Sequence, residues 1–450
     1  MKIFVAALCL AALYASGRVG RTETPNKGDG LADLDALIGG QHAHEASQPA
    51  LTLDEIERIA LAENPEIHVA ARRVAMAEAH VPTAGALDDP ELMYRGWGVP
   101  LTQPWNYNAA QNMLMVSQML PGPGKRRLRT NVAEGDVAEA KDELEATQLR
   151  VRVEVRKAFY DLVRAQDGLR IHDEHVAIAR QAIEAARIRY TVGKVPQQDI
   201  LKAQLALTRL AEHMIRFDRD AEVARDHLNT LLGRSPASPI SVSGDLGVTA
   251  ALPSAETLEQ MALEARPDLR EAEAAIEKSR KEQDLAKKAY VPDFTVSAGY
   301  MLMPSGTDVR NDYMVEGSMS LPWLNHRKHD AEIAESTAKV TEQDAELAAM
   351  RTEAFGQIQE ALAEARAAQQ LARVYQDSLR PQAEATLHAA VIAYENNQTD
   401  FLDLLDSQMT VVDVGLAGIE AMADFDARMA DLELAVGAPV DATVPTEVKQ

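Results

Sequence analysis

The sequence predicts a mainly α-helical protein with a small transmembrane β part, built from a duplicated helical hairpin unit. Three observations predict it. First, the chain repeats itself in order: Glu57-Arg58-Ile59-Ala60-Leu61-Ala62-Glu63-Asn64-Pro65-Glu66-Ile67 returns as Glu259-Gln260-Met261-Ala262-Leu263-Glu264-Ala265-Arg266-Pro267-Asp268-Leu269. Arg189-Tyr190-Thr191-Val192-Gly193 is echoed by Ala393-Tyr394-Glu395-Asn396-Asn397, and Leu231-Leu232-Gly233 by Ala435-Val436-Gly437. Ordered self-similarity of this kind marks a repeated structural unit. Second, long stretches keep a heptad stripe. Third, each copy sets two short strand-like runs into helical sequence.

Composition sets the limits. The chain has 450 residues, a formal charge of −23 and a single cysteine, Cys9. The charge repels a nucleic-acid backbone, which excludes nucleic acid as a partner. It is compatible with a cation path. One cysteine forbids an intrachain disulfide. Residues 1–17 read as a signal peptide: a basic start, a short apolar core and small residues Ala15-Ser16-Gly17 at its end. Residues 18–50 are polar and aperiodic, a flexible tail. The first repeat covers 51–233, a linker 234–254, the second repeat 255–437, and a C-terminal tail 438–450.

Within the first repeat, Leu53 to Ala79 reads as one helix with Thr52 as its N-cap. The β-hairpin spans 91–120, with strands Glu91–Val99 and Gln111–Leu120 joined by a polar turn containing Pro104, Asn106 and Asn108. Pro121-Gly122-Pro123-Gly124 ends it. From Lys125 helical sequence runs to Thr191, about 100 Å at ~1.5 Å per residue. Val155, Leu162, Leu169, Val176, Ile183 and Tyr190 fall seven apart, and Val137, Leu144, Val151, Ala158 and Ala165 form a second seam. Such seams mean coiled-coil packing. Gly193 and Pro196 break the helix, and Gln197 to Leu232 returns beside it. The second repeat follows the same plan. A helix runs from Ala255 to Tyr290. The β-hairpin 293–321 has strands Asp293–Met303 and Tyr313–Leu321 and a turn at Pro304-Ser305-Gly306. A long helix from His329 to Tyr394, a turn at Asn396-Asn397-Gln398 and a return helix to Val436 complete it.

The strands have the length of tilted transmembrane strands. Phe294, Val296, Ala298, Tyr300 and Leu302 share one face, against Thr295, Ser297 and Gly299. Tyr313, Val315 and Met319 oppose Glu316, Ser318 and Ser320. Apolar-out, polar-in is the pattern of a water-filled barrel. Tyr94, Trp97, Trp105, Tyr107, Tyr290, Tyr300, Tyr313 and Trp323 cluster near the strands, as membrane interfaces favour. Four strands cannot close a membrane barrel, and an open edge in lipid is prohibitive. Chains must therefore assemble, and three would give twelve strands.

At this point the chain resembles the TolC-like outer-membrane efflux protein family, from about Leu51 to Gly437. The duplication, the hairpin placement and the breaker positions agree. So do Gln118-Met119-Leu120-Pro121-Gly122-Pro123-Gly124-Lys125-Arg126 after the second strand and Tyr290-Val291-Pro292-Asp293-Phe294 before the third. The strand-end motif is closer to the heavy-metal-exporting branch than to the drug-exporting one. The resemblance implies a homotrimer with a shared twelve-strand β-barrel in the outer membrane and a trimeric α-barrel through the periplasm. It implies a passive exit duct for small solutes or metal ions, without catalytic residues or a cofactor. The expected partners are a periplasmic adaptor (membrane fusion protein), an inner-membrane pump of the resistance-nodulation-division type, and outer-membrane lipid.

The resemblance also places a gate at the periplasmic tip. Tyr394, Asp403 and Asp406 match its constriction, and Asp199 matches Asp403 in the other copy. Asp403 and Asp406 lie on one helix face. Six such carboxylates in a trimer would draw cations and repel anions. Where the family often carries a basic residue after the breaker, this chain has Thr399, followed by Asp400. The adaptor is expected at Gly193, Lys194, Val195, Asn397 and Gln398.

Other signals carry less. Gly122-Pro123-Gly124-Lys125 lacks the spacing and hydroxyl of a phosphate loop. The pairs His172/His175, His326/His329 and His42/His44 lack a completing ligand set and read as solvated. Met113, Met115, Met119, Met301 and Met303 share strand faces; soft thioethers would suit monovalent copper, and plain apolar filling is the simpler reading. The competing functional classes are a soluble periplasmic coiled-coil scaffold or adaptor and, within transport, an exit duct for type I protein secretion.

Overall fold

The computed structural model describes residues 50–99, 101–102, 110–193, 195–248, 251–305, 308–396 and 398–440. The expected signal peptide, most of the expected N-terminal tail and the last ten residues lie outside them, as does the expected turn at Pro104, Asn106 and Asn108 with Trp105 and Tyr107.

The first half runs α1 (Leu53–Glu63), α2 (Pro65–Ala84), β1 (Glu91–Trp97), β2 (Gln111–Leu120), α3 (Lys125–Thr191) and α4 (Gln197–Leu231). The second half repeats that order: α5 (Ala255–Ala265), α6 (Pro267–Lys287), β3 (Phe294–Ser305), β4 (Asp308–Met319), then α7 (His326–Val374), a π-turn over Tyr375–Leu379, α8 (Arg380–Glu395) and α9 (Phe401–Val436). Short 3-10 turns at Lys288–Tyr290 and Pro322–Asn325 flank the second hairpin.

The expected helix from Leu53 to Ala79 is two helices. Asn64 sits in extended backbone because a residue before proline is pushed out of the helical region. Pro65 then opens α2, where its missing N–H costs nothing. The expected helix from Ala255 to Tyr290 breaks at Arg266 before Pro267 for the same reason. The second hairpin is also longer than its sequence suggested at the turn. Pro304 and Ser305 are paired residues, opposite Val309 and Asp308, and not the turn itself. β1 stops at Trp97, two residues short of the expected Val99.

α3 is 67 residues long. Its N-terminal part packs on α2 and α6, and its C-terminal part on α4 and α9. Ion pairs tie it to the second half: Lys278 Nζ lies 2.7 Å from both Asp136 and Glu139, and Arg270 pairs with Glu145. Two cores stand in corresponding places. The first gathers Ile56, Ala60, Val155, Phe159, Leu162 and Leu228; the second gathers Leu258, Ala262, Ile358, Leu362, Leu432 and Val436. The connector adds Ile240 and Val242 to the first core, where Val242 bridges Leu51. Val440, at the start of the expected C-terminal tail, is buried in the second.

The four strands form one antiparallel sheet in the order β1-β2-β3-β4. The register aligns the apolar positions across all four. Leu92, Val116, Ala298 and Val315 make one row; Tyr94, Leu114, Tyr300 and Tyr313 make the next. This face is open: Leu92 is 69% exposed, Tyr313 86% and Val315 79%. The opposite face is sheltered, with Met113, Met115 and Ser297 buried. β1 and β4 each have a neighbour on one side only.

Candidate functional site

Two places carry the features that matter: the sheet with its base, and the helix tips at the far end of α3.

The base is where the two sequence motifs meet. The Gly122 amide donates to Asp293 Oδ1 at 2.7 Å, and Lys125 Nζ reaches the same oxygen at 2.7 Å. The Asp293 amide donates to Ser320 Oγ at 2.8 Å. Burial would raise the Asp293 carboxyl, but the Lys125 and Gly122 bonds outweigh it and hold it below the usual carboxylate range. Gly122 is required by close approach: a Cβ there would lie 2.6 Å from the Pro292 carbonyl oxygen. The lysine of the apparent phosphate loop is thus occupied in joining the two hairpins to the helices.

At the tips, Ala186 of α3, Ala203 of α4 and Phe401 of α9 form a buried cluster joined by Ile183, Ile200, Tyr394, Leu402 and Leu405. The two hairpin ends therefore lie together, as expected. Arg189 stacks over the Tyr394 ring, its guanidinium carbon 4.2 Å from the centroid, a cation–π contact. Phe401 flanks the same ring at 6.1 Å. The Tyr394 hydroxyl is buried and has no hydrogen-bond partner among the described residues. Asp199 is buried in the first turn of α4, and burial together with the nearby Asp400 raises its pKa. Asp400 caps α9, accepting from the Leu402 and Asp403 amides at 3.0 Å each. Asp403 also accepts from the Thr399 hydroxyl.

Asp403 and Asp406 do line one surface, a groove of about 780 Å³ between α4 and α9. Its other wall carries Lys202, Arg209 and Arg216, with Glu212 paired to Arg216. The sequence reading missed these three cations, although their spacing of seven along α4 was the signal available. The acidic stripe therefore faces a basic stripe within the same chain. Gly193 adopts φ +73 and ends α3 with its amide on the Tyr190 carbonyl. Val195 is half-buried and Gln398 is exposed, its amide on the Ala393 carbonyl at 2.8 Å. Lys194 and Asn397 lie outside the described residues.

One histidine expectation is corrected. His172 is fully buried, not solvated, packed 5.5 Å from the His213 ring and 5.4 Å from Phe217. Burial, with His213 and His175 adding to it, pushes it down to about 4. His175 is held by Gln408 at 2.8 Å. Among the described residues no group of three or more His, Cys, Asp or Glu could hold a metal ion, and no helix is long and apolar enough to cross a membrane.

With this geometry in view, the comparisons with known proteins are direct. The protein-family model for the outer membrane efflux protein matches residues 58–234 and again residues 258–438. The chain belongs to this family. The cobalt-zinc-cadmium resistance protein CzcC of Cupriavidus metallidurans is 22% identical over 388 residues, covering 86% of this chain and 90% of its own. The nickel and cobalt resistance protein CnrC of the same organism is 26% identical over 314 residues, covering 69% and 72%. Among solved structures, CusC superposes with a TM-score of 0.71 at 17% identity, covering 86% of this chain and 92% of its own. The open state of the Neisseria gonorrhoeae MtrE outer membrane channel superposes with a TM-score of 0.71 at 18% identity, covering 88% and 91%. This outer membrane efflux protein is thus an outer-membrane channel component of a tripartite efflux system, with its helical part in the periplasm. Such systems pair the channel with an adaptor and an inner-membrane pump.

Proposed function

We propose that three copies of this chain close a twelve-strand barrel in the outer membrane and conduct metal ions or other small solutes out of the periplasm. The observation that carries the reading is the sheet. Its open face presents apolar rows in register across four strands, and among the described residues both of its edges lack a partner. An apolar sheet face fits lipid, and lipid tolerates no open edge. Exposed Leu201, Leu205, Ile215 and Val223 on α4 add an apolar surface suited to neighbouring copies. The metal cargo is suggested by the names of the two resistance relatives. An adaptor would dock on the tips around Gly193, Val195 and Gln398, with Lys194 and Asn397 beside them, and the pump would be of the resistance-nodulation-division type.

The gate reading assigns Tyr394, Asp199, Asp403 and Asp406 to the constriction. The stacked Arg189–Tyr394 pair and the opposed acidic and basic stripes hold the two hairpin ends together at rest; an adaptor that parts them widens the tip. Asp403→Ala with Asp406→Ala should raise single-channel conductance in planar bilayers and weaken block by multivalent cations. Unchanged conductance and block would remove these carboxylates from the gate. A purified protein that stays monomeric and folded without detergent would remove the duct itself.

A further inference from the structure

The sheltered face of the sheet is not the polar surface that a water-filled barrel calls for. Met93, Met113, Met115, Met119, Met301, Met303 and Met314 all lie on it, and of the eight methionines in the four strands only Met319, at the end of β4, lies on the open face. Filling by an adaptable apolar side chain does not explain this partition. The face that would meet lipid uses Leu, Val, Tyr and Phe instead.

The register sets these methionines side by side. Met93 pairs with Met115, and Met115 lies across Gly299 from Met314. In the adjoining row Met113 pairs with Met301. Directly opposed residues on one face stand about 5 Å apart at Cβ, so flexible thioethers from two rows reach a common point. Met113 and Met115 are buried and Met93, Met301, Met303 and Met314 half-buried. Gly299 brings no side chain of its own to the row, and a Cβ there would stand 3.2 Å from the Met115 Cβ. Among the residues whose side chains are described, the charged groups on this face are Glu91 and Glu316 in the row on one side, Arg95 and Asp312 at the ends of the Met113–Met301 row, and Arg310 beyond it; Asp308, opposite Ser305, follows on the same side of β4. Arg310 is paired with Asp312 at 3.1 Å, and Arg95 lies 3.6 Å from the Met93 sulfur.

We infer that this methionine cluster is a binding site for soft monovalent cations, copper(I) or silver(I). Thioether sulfur is a soft, neutral donor that prefers such ions to zinc, cobalt or nickel. It needs no deprotonation, so the site works without a pH requirement, and neutral donors hold an ion loosely enough to pass it on. Placing the site inside the duct rests on the trimer reading; the convergence of donors on one face does not.

The test uses the purified full-length protein in detergent, in nitrate buffer free of chloride. Silver nitrate, followed by calorimetry and by metal analysis after desalting, should give at least one bound ion per chain, with cobalt and zinc nitrate giving none that silver displaces. Met113→Leu with Met115→Leu and Met301→Leu keeps the volume and removes the sulfur. It should weaken silver binding at least about ten-fold and leave silver-free conductance unchanged. A wild-type protein that takes up no silver, or a triple variant that binds it equally well, overturns the site. Loss of conductance in the wild type speaks instead against the duct. If the variant fails to fold, the wild type still decides. Silver should protect Met113, Met115 and Met301 from peroxide oxidation, read peptide by peptide, and leave Met76, 70% exposed on α2, unprotected. Equal oxidation with and without silver overturns the proposal.

Discussion

The first half of the molecule carries its long helix without interruption, whereas the second half widens its own at Tyr375–Leu379. The cause is one residue. Pro381 has no N–H for the carbonyl four residues back and its ring crowds that carbonyl, so the helix takes a wider turn in which the Arg380 amide bonds Tyr375. The corresponding place in α3 is Ala177, and the helix continues. The widened turn borders a groove of about 490 Å³ lined by Tyr375, Gln376, Arg380, Gly415, Gly418 and His175. Duplication thus preserved the path of the chain and let the stiffness of the two copies diverge.

The junctions differ in the same way. In the first half Asn64 caps α2, accepting from the Glu66 and Ile67 amides, and donates to the Leu231 carbonyl at 2.8 Å. In the second, Arg266 takes its place. It reaches the Ala435 carbonyl at 3.0 Å, forks onto Asp268 and meets Gln357, and its side chain bonds no amide at the start of α6. Both junctions end on a glycine in left-handed backbone, Gly233 at φ +66 and Gly437 at φ +83. A Cβ on either would come within 2.7 Å of backbone, Glu63 oxygen or Arg266 Cα.

The largest effects should come from what the junctions share. Gly233→Val and Gly437→Val each force a β-branched residue into left-handed backbone and against a neighbouring chain segment. Each should cost about 3 kcal/mol or more, read as a lower thermal dissociation midpoint or loss of folded trimer. A loss at one site only would break the equivalence of the two halves. Smaller and unequal effects should come from what they do not share. Asn64→Ala removes a cap and orphans the buried Leu231 carbonyl, about 2 kcal/mol. Arg266→Ala removes a largely buried side chain that borders a groove of about 560 Å³; the groove lets solvent reach the Ala435 carbonyl, so the loss should cost about 1 kcal/mol and shrink with added salt. Equal losses independent of salt would contradict the assignment. The smallest effect on stability should be Pro381→Ala, within about 1 kcal/mol either way. Its signature is local: amide hydrogen exchange across Tyr375–Leu379 should slow as an ordinary helical ladder re-forms. Unchanged exchange would show that the wide turn is set by Tyr375 packing on Gly418 and not by the proline.

Much of this fold was open to reading along the chain. The heptad spacing of Val155, Leu162 and Val176 places all three in buried positions, and the alternation of Phe294 through Leu302 became an exposed face. Period and alternation are local properties of the chain, so they survive without tertiary information. The tips were less legible. Asp403 and Asp406 were found through the family resemblance, their spacing of three placing them on one helix face, but Lys202, Arg209 and Arg216 belong to a helix distant in sequence, and only packing sets the two stripes face to face. His172 read as solvated because one helix in isolation does not reveal what α4 lays over it.

By itself the sequence determined the duplicated plan, the lengths of the coiled helices and the two faces of each strand, because helical and strand periods are written into residue order. The tertiary structure alone decided which pairs of residues far apart in the chain meet. It joined Lys125 to Asp293 and Asn64 to Leu231, and it gathered methionines from four strands onto one face. Register between strands and contact between helices depend on how the whole chain closes upon itself, and no local pattern carries that information.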